Sequence, residues 1–126
     1  MKKIAALLFA AALLLSGCGG DTGTVSSSPT PAVKDSSGAV VVDIAVKGGT
    51  VTPQGDRVDV KVGQKVTLHI TSDTDEAIHV HSEPEHEYEV GPGDDVEKSF
   101  TIDTPGQVAV EAHHLDVTIA QLVVRP

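Results

Sequence analysis

From residue 39 onward, apolar and polar positions alternate in short runs. Val58, Val60 and Val62 fall on one face of one run, and Val66, Leu68 and Ile70 on one face of the next, with Gly63-Gln64 between them as a turn. A period of two sends successive side chains to opposite sides of the backbone, as in a half-buried strand. The valine-rich stretch "AVVVDIAVKGG" predicts an earlier strand that stops at Gly48-Gly49. Further strands are predicted over 77–82, 87–90, 96–102, 107–112 and 117–124. "GPGDD" and "DTPG" separate them as turns, since glycine and proline supply turn torsions and aspartate bonds its own backbone. No extended 3.6-residue apolar period follows Cys18, so the pattern predicts an all-β sandwich or barrel.

Composition sharpens this picture at the N-terminus. "MKK" is a short basic start, "IAALLFAAALLL" is a run of twelve apolar residues, and "SGC" follows. That order reads as a secretory signal over residues 1–17, and the apolar run falls well short of the roughly 20 residues that span a bilayer. "LSGC" (Leu15, Ser16, Gly17 and Cys18) resembles a bacterial lipobox, which implies cleavage before Cys18 and diacylation of its sulfur. The expected location is extracytoplasmic, anchored to the bacterial cell membrane by lipid. Cys18 is the only cysteine, so no intramolecular disulfide can form even in an oxidising compartment. The remainder of residues 18–38 is mainly Gly, Ser, Thr, Pro and Asp, which cannot offset its own ordering entropy and is expected to be a flexible tether.

Residues 39–126 then form one small domain. Tyr88 and Phe100 are its only aromatic residues, so its core must be valine, isoleucine and leucine. Without Lys2 and Lys3 the chain has seven basic residues against eighteen acidic ones, a formal charge of −11. Such a balance argues against nucleic acid as a partner, and against a lipid-surface role for the domain itself. It is compatible with cations, and also with solubility alone.

"VDVKVGQKVTLHITSDTDEAIHVH", "FTIDTPGQVAVEAHH" and "AQLVVRP" resemble a cupredoxin-like domain. The resemblance implies a Greek-key β-sandwich with any metal held at one pole by loops between strands. It also implies a first histidine ligand near His79, and later ligands (a cysteine, a histidine and usually a methionine) after the "PG" turn. Ala112 stands where the cysteine would be, His113 and His114 lie just beyond it, and Ile119 is near the methionine position. A blue-copper centre needs the thiolate. Met1 and Cys18 are the only sulfur-bearing residues, so blue-copper electron transfer and a thioether Cu(I) carrier are both excluded.

Imidazole and carboxylate remain. Residues 79–90, "HVHSEPEHEYEV", hold three histidines and four glutamates. His79 and His81 share a strand face about 7 Å apart, from the ~3.3 Å rise per residue. His113 and His114 are adjacent and should point to opposite faces, so one of them joins more easily. Three of these imidazoles, with or without a carboxylate from Glu76, Glu83 or Glu111, would suit Zn²⁺, Cu²⁺ or Ni²⁺. Alternatively His79 and His81 are polar-face residues held by hydrogen bonds. Glu85, Glu87 and Glu89 read as the solvated side of an edge strand, or as a weak cation site. Tyr88 and Val90 read as its buried side, with His86 at the edge. Neighbouring carboxylates favour protonated imidazole, so a pH response is expected in this segment. His69 reads as a solvent-facing strand residue.

No "GxSxG", "HExxH" or Gly-rich phosphate loop occurs, and the chain is not expected to be an enzyme. A metal hydrolase stays open only because an open coordination position is a matter of geometry. Two functions follow: a surface-tethered module for copper or zinc, and a metal-free interaction or scaffold module of the cell envelope. No particular protein partner is indicated.

Overall fold

A computed structural model describes residues 33–126. The leader and Cys18 lie outside the described residues. Ten strands follow in order: β1 (Val33–Lys34), β2 (Val40–Lys47), β3 (Thr50–Thr52), β4 (Asp56–Lys61), β5 (Lys65–Ser72), β6 (Glu76–Val80), β7 (His86–Val90), β8 (Asp95–Thr101), β9 (Gly106–Ala112) and β10 (Val117–Arg125). No helix occurs among the described residues.

Two five-stranded sheets form a sandwich. The first runs β1-β2-β5-β8, with β3 also paired to β2, and the second runs β4-β10-β9-β6-β7. The chain changes sheets between β3 and β4, β4 and β5, β5 and β6, β7 and β8, and β8 and β9, giving Greek-key crossovers. β2 lies parallel to β5 and β4 parallel to β10, and the other pairs are antiparallel.

The alternation seen in sequence becomes the core. Val40, Val42, Ile44 and Val46 of β2 face inward against Val66, Leu68 and Ile70 of β5, all nearly excluded from solvent. Val58 and Val60, Ile78 and Val80, and Val108 and Val110 supply the opposing layer. Each such side chain contributes about 1.5–3 kcal/mol when fully buried. In β10 the register slips between Thr118 and Ala120, and this bulge lets the consecutive residues Ile119 and Ala120 both be buried.

Three local features depart from the sequence pattern. Val62 does not continue the face of Val58 and Val60 but is 37% exposed. β4 ends at Lys61, and Val62 sits in a turn closed by the bond from the Gln64 amide to the Lys61 carbonyl. β1 lies inside the stretch read as tether, pairing Val33 with Val41 and Lys34 with Val40. Asp35 then accepts bonds from the amides of Ser37 and Ala39 to close the β1–β2 turn. β3 was not anticipated: Gly48 and Gly49 both have positive φ, 57° and 75°, and fold it back on β2 as a two-residue hairpin.

β7 and β8 are the edge strands that meet across the sandwich. His86 packs its ring 5.2 Å from Phe100, and the Lys98 ammonium lies 5.8 Å from the centre of Tyr88. Burial pushes the Tyr88 phenol above its ordinary pKa. The inward side of β7 is therefore His86, Tyr88 and Val90, with Glu87 and Glu89 exposed, as the alternation predicts.

Candidate metal centre

The parity of β6 decides where its histidines go. Ile78 and Val80 are buried, so His79 and then His81 point to the outer face of the second sheet. His79 sits opposite Glu111 on β9 and Glu87 on β7. The His81 amide donates to the Ala109 carbonyl, and the His113 amide to the Ala77 carbonyl, which extends the β6–β9 ladder at both ends. Alternation from the buried Ala112 puts His113 outward, beside His79.

Three imidazoles thus share one solvent-facing surface. The ring centres of His79 and His81 are 4.5 Å apart, and those of His79 and His113 are 6.4 Å apart. Carboxylates surround them. Glu111 Oε2 is 2.8 Å from His81 Nε2, a hydrogen bond, while Glu111 Oε1 accepts from the Thr118 hydroxyl at 3.3 Å. Glu85 lies 3.7 Å from His79 Nε2 through one oxygen and 3.9 Å from His81 Nδ1 through the other. His81, Glu83 and Glu85 also line an open cavity of about 360 Å³ beside the 103–106 turn.

His114 goes elsewhere. Its amide donates to Glu76 Oε1 at 2.7 Å, and its Nδ1 lies 3.4 Å from the Asp75 carbonyl. Glu76 shares the inward parity of Ile78, is 1% exposed, and also accepts from the Ala77 amide at 2.9 Å. His113 lies beside His79 and His114 beside Glu76, with the two adjacent rings still 6.1 Å apart.

His69 faces outward from β5, its side chain 35% exposed, and there Asp43 of β2 holds its Nδ1 at 2.9 Å and Asp95 of β8 holds its Nε2 at 2.7 Å. These two hydrogen bonds, Asp43 first, raise its pKa above the ordinary histidine value. His69, on the first sheet, thus adds a titrating group outside the 79–90 segment.

The aligned solved structures include auracyanin A, a "blue" copper protein of the green thermophilic photosynthetic bacterium Chloroflexus aurantiacus. It aligns with a TM-score of 0.55 and 14% identity over 70% of this chain and 100% of its own. The fold is cupredoxin-like. Two mutants of amicyanin, one in the Cu(I) state and one reduced, align at TM-scores of 0.49 and 0.47, each with 23% identity over 80% of this chain and 95% of theirs. The sequence matches no protein-family model and has no significant relative among curated proteins. The likeness is one of fold, and a fold hosts many functions.

The donor set of a blue-copper centre does not fit this cupredoxin-like domain. Residues 33–126 contain neither cysteine nor methionine. Ala112 and Ile119, at the positions the resemblance assigns to sulfur ligands, are fully buried apolar side chains. The resemblance also implied that His79 would serve at the pole. His79 instead faces outward, and the inward residue at that end of β6 is Glu76, whose partner there is His114. Among the described residues, no three His, Cys, Asp or Glu side chains are already drawn together to hold an ion.

Proposed function

We propose that this chain is an extracytoplasmic cupredoxin-like module that binds one divalent ion, zinc or copper, through histidines and performs neither redox chemistry nor catalysis. In this reading a lipid on Cys18 tethers it to the bacterial cell membrane, with residues between Cys18 and β1 as the spacer. The observation that carries the metal reading is the common outer face of His79, His81 and His113, with ring-centre spacings of 4.5 and 6.4 Å. Two imidazoles on one tetrahedral ion, at bond lengths of about 2.0–2.1 Å, have ring centres roughly 5 Å apart. Rotations about χ1 and χ2 of His81 and His113, the more exposed of the three, would close the difference. Imidazole with carboxylate suits Zn²⁺ and Cu²⁺, and the order of affinities places Cu²⁺ above Zn²⁺.

A second reading, a metal-free interaction or scaffold module, is favoured by the existing bond between His81 and Glu111, which satisfies one ring nitrogen without an ion. Calorimetric titration and thermal melting of the full chain in mild detergent, at about pH 7.5, a unit above the ordinary histidine pKa, distinguish the two. One ion should bind and raise stability by about 2.7 kcal/mol at a hundredfold excess over Kd. His79→Ala and His81→Ala should lose this, and His86→Ala, on the inner seam, should keep it. Cu²⁺ should give no intense thiolate-to-copper band. Unchanged melting with both ions would leave the metal-free reading. The tether is checked by Cys18→Ser, which should abolish lipid labelling; a variant still labelled and membrane-bound would remove that part.

A further inference from the structure

We infer that Glu85 is a ligand of the outer-face ion and that Glu111 is a positioning residue for His81, so that the site consists of His79 Nε2, His81 Nδ1 and the Glu85 carboxylate. This rests on the metal reading above and adds its donor set. Glu85 lies in the loop between β6 and β7, and its carboxylate faces two ring nitrogens at once. The distances, 3.7 Å to His79 Nε2 and 3.9 Å to His81 Nδ1, are too long for hydrogen bonds. In a tetrahedral site with bonds of about 2.0–2.1 Å, neighbouring ligand atoms stand about 3.3–3.4 Å apart. Each carboxylate oxygen faces a different nitrogen, and each of these distances exceeds that edge by roughly half an ångström. The Glu85 side chain is 62% exposed, so turning it inward disturbs no packed group.

Glu111 determines which nitrogen of His81 is available. Its carboxylate accepts from Nε2 at 2.8 Å, so Nε2 carries the proton and the lone pair is left on Nδ1. Nδ1 is the nitrogen that faces Glu85. A carboxylate on the far side of a ligating imidazole fixes both tautomer and ring orientation, and raises the basicity of the ligating nitrogen. The Thr118 hydroxyl bonds the other oxygen of Glu111 and steadies it in turn. Two imidazoles and one carboxylate leave a fourth position for His113 or water, and select a borderline ion such as Zn²⁺ or Cu²⁺. Mg²⁺ and Ca²⁺, which take all-oxygen shells, are poorly matched.

The test is Zn²⁺ titration of the full chain in excess Mg²⁺, for the wild type and for His79→Ala, His81→Ala, Glu85→Gln, Glu87→Gln and Glu111→Ala. The metal-free melting temperature of each variant establishes that it folds. Glu85→Gln should weaken Zn²⁺ at least about 10-fold, and Glu111→Ala about 10- to 100-fold, the range for loss of an outer carboxylate partner. Glu87→Gln, opposite His79 on β7, should bind as the wild type does. Nitrogen-15 NMR should place the His81 proton on Nε2 in the wild type and not exclusively there in Glu111→Ala. If the wild type binds no Zn²⁺, this donor set and the metal reading fall together. If the wild type binds, the two histidine variants do not, and Glu85→Gln is unaffected, the ligand assignment is overturned and the metal reading stands. A Glu111→Ala variant with unchanged affinity and tautomer would overturn its positioning role.

Discussion

Histidines hydrogen-bonded to carboxylates stand on both outer faces of this sandwich. On the first sheet, His69 links three strands, bonding Asp43 of β2 and Asp95 of β8 from its place on β5. Glu97, opposite it on β8, adds a third acidic neighbour. Protonated imidazole donates from both nitrogens, whereas the neutral ring can donate from only one. Because the folded-state pKa is raised above the unfolded value, His69 contributes stability that is fully present below about pH 6.5. That contribution is lost as pH rises through the folded pKa. In urea melts of the wild type against His69→Gln, the gap in midpoint should be widest at acidic pH and narrow toward alkaline pH. A gap independent of pH would show that the clamp does not depend on the charge of His69.

Among elements, β6 organises the candidate site by directing alternate residues to opposite faces. Its outward residue His79 leads on to His81, and its inward residue Glu76 reaches across to the loop between β9 and β10. Glu76 Oε1 accepts from the Ala77 and His114 amides, so removing the carboxylate leaves these donors without it. Glu76→Ala should destabilise the fold by about 1–3 kcal/mol. Hydrogen exchange at the His114 amide should accelerate, and an unchanged midpoint and exchange rate would contradict this role. The outward setting of His79 and His81 was legible in sequence from the buried Ile78 and Val80 between and before them. The inward turn of Glu76 was not, because a carboxylate breaks the apolar pattern and its partner is 38 residues away. Glu85 was likewise read as part of a solvated stripe, since its approach to two imidazoles depends on the path of the 81–85 loop. β1 and β3 are two and three residues long, too short for a period of two to register. Their positions depend on the Asp35 and Gly48-Gly49 turns.

At the scale of the molecule, a cupredoxin-like sandwich is combined with an aliphatic core and no sulfur in residues 33–126. The end of the sandwich near β6 carries Glu76 with His114, while the imidazole cluster lies on the outer face of the second sheet. β6, β9 and the 81–85 loop place histidines and carboxylates on that one face. The most direct measurement is a crystal structure of the zinc-loaded protein, with anomalous scattering recorded on both sides of the zinc edge. The expected result is one peak on the outer face, bounded by His79 Nε2, His81 Nδ1 and Glu85. No peak at saturating Zn²⁺, or a peak only at the Glu76 and His114 end, would contradict an outer-face metal site.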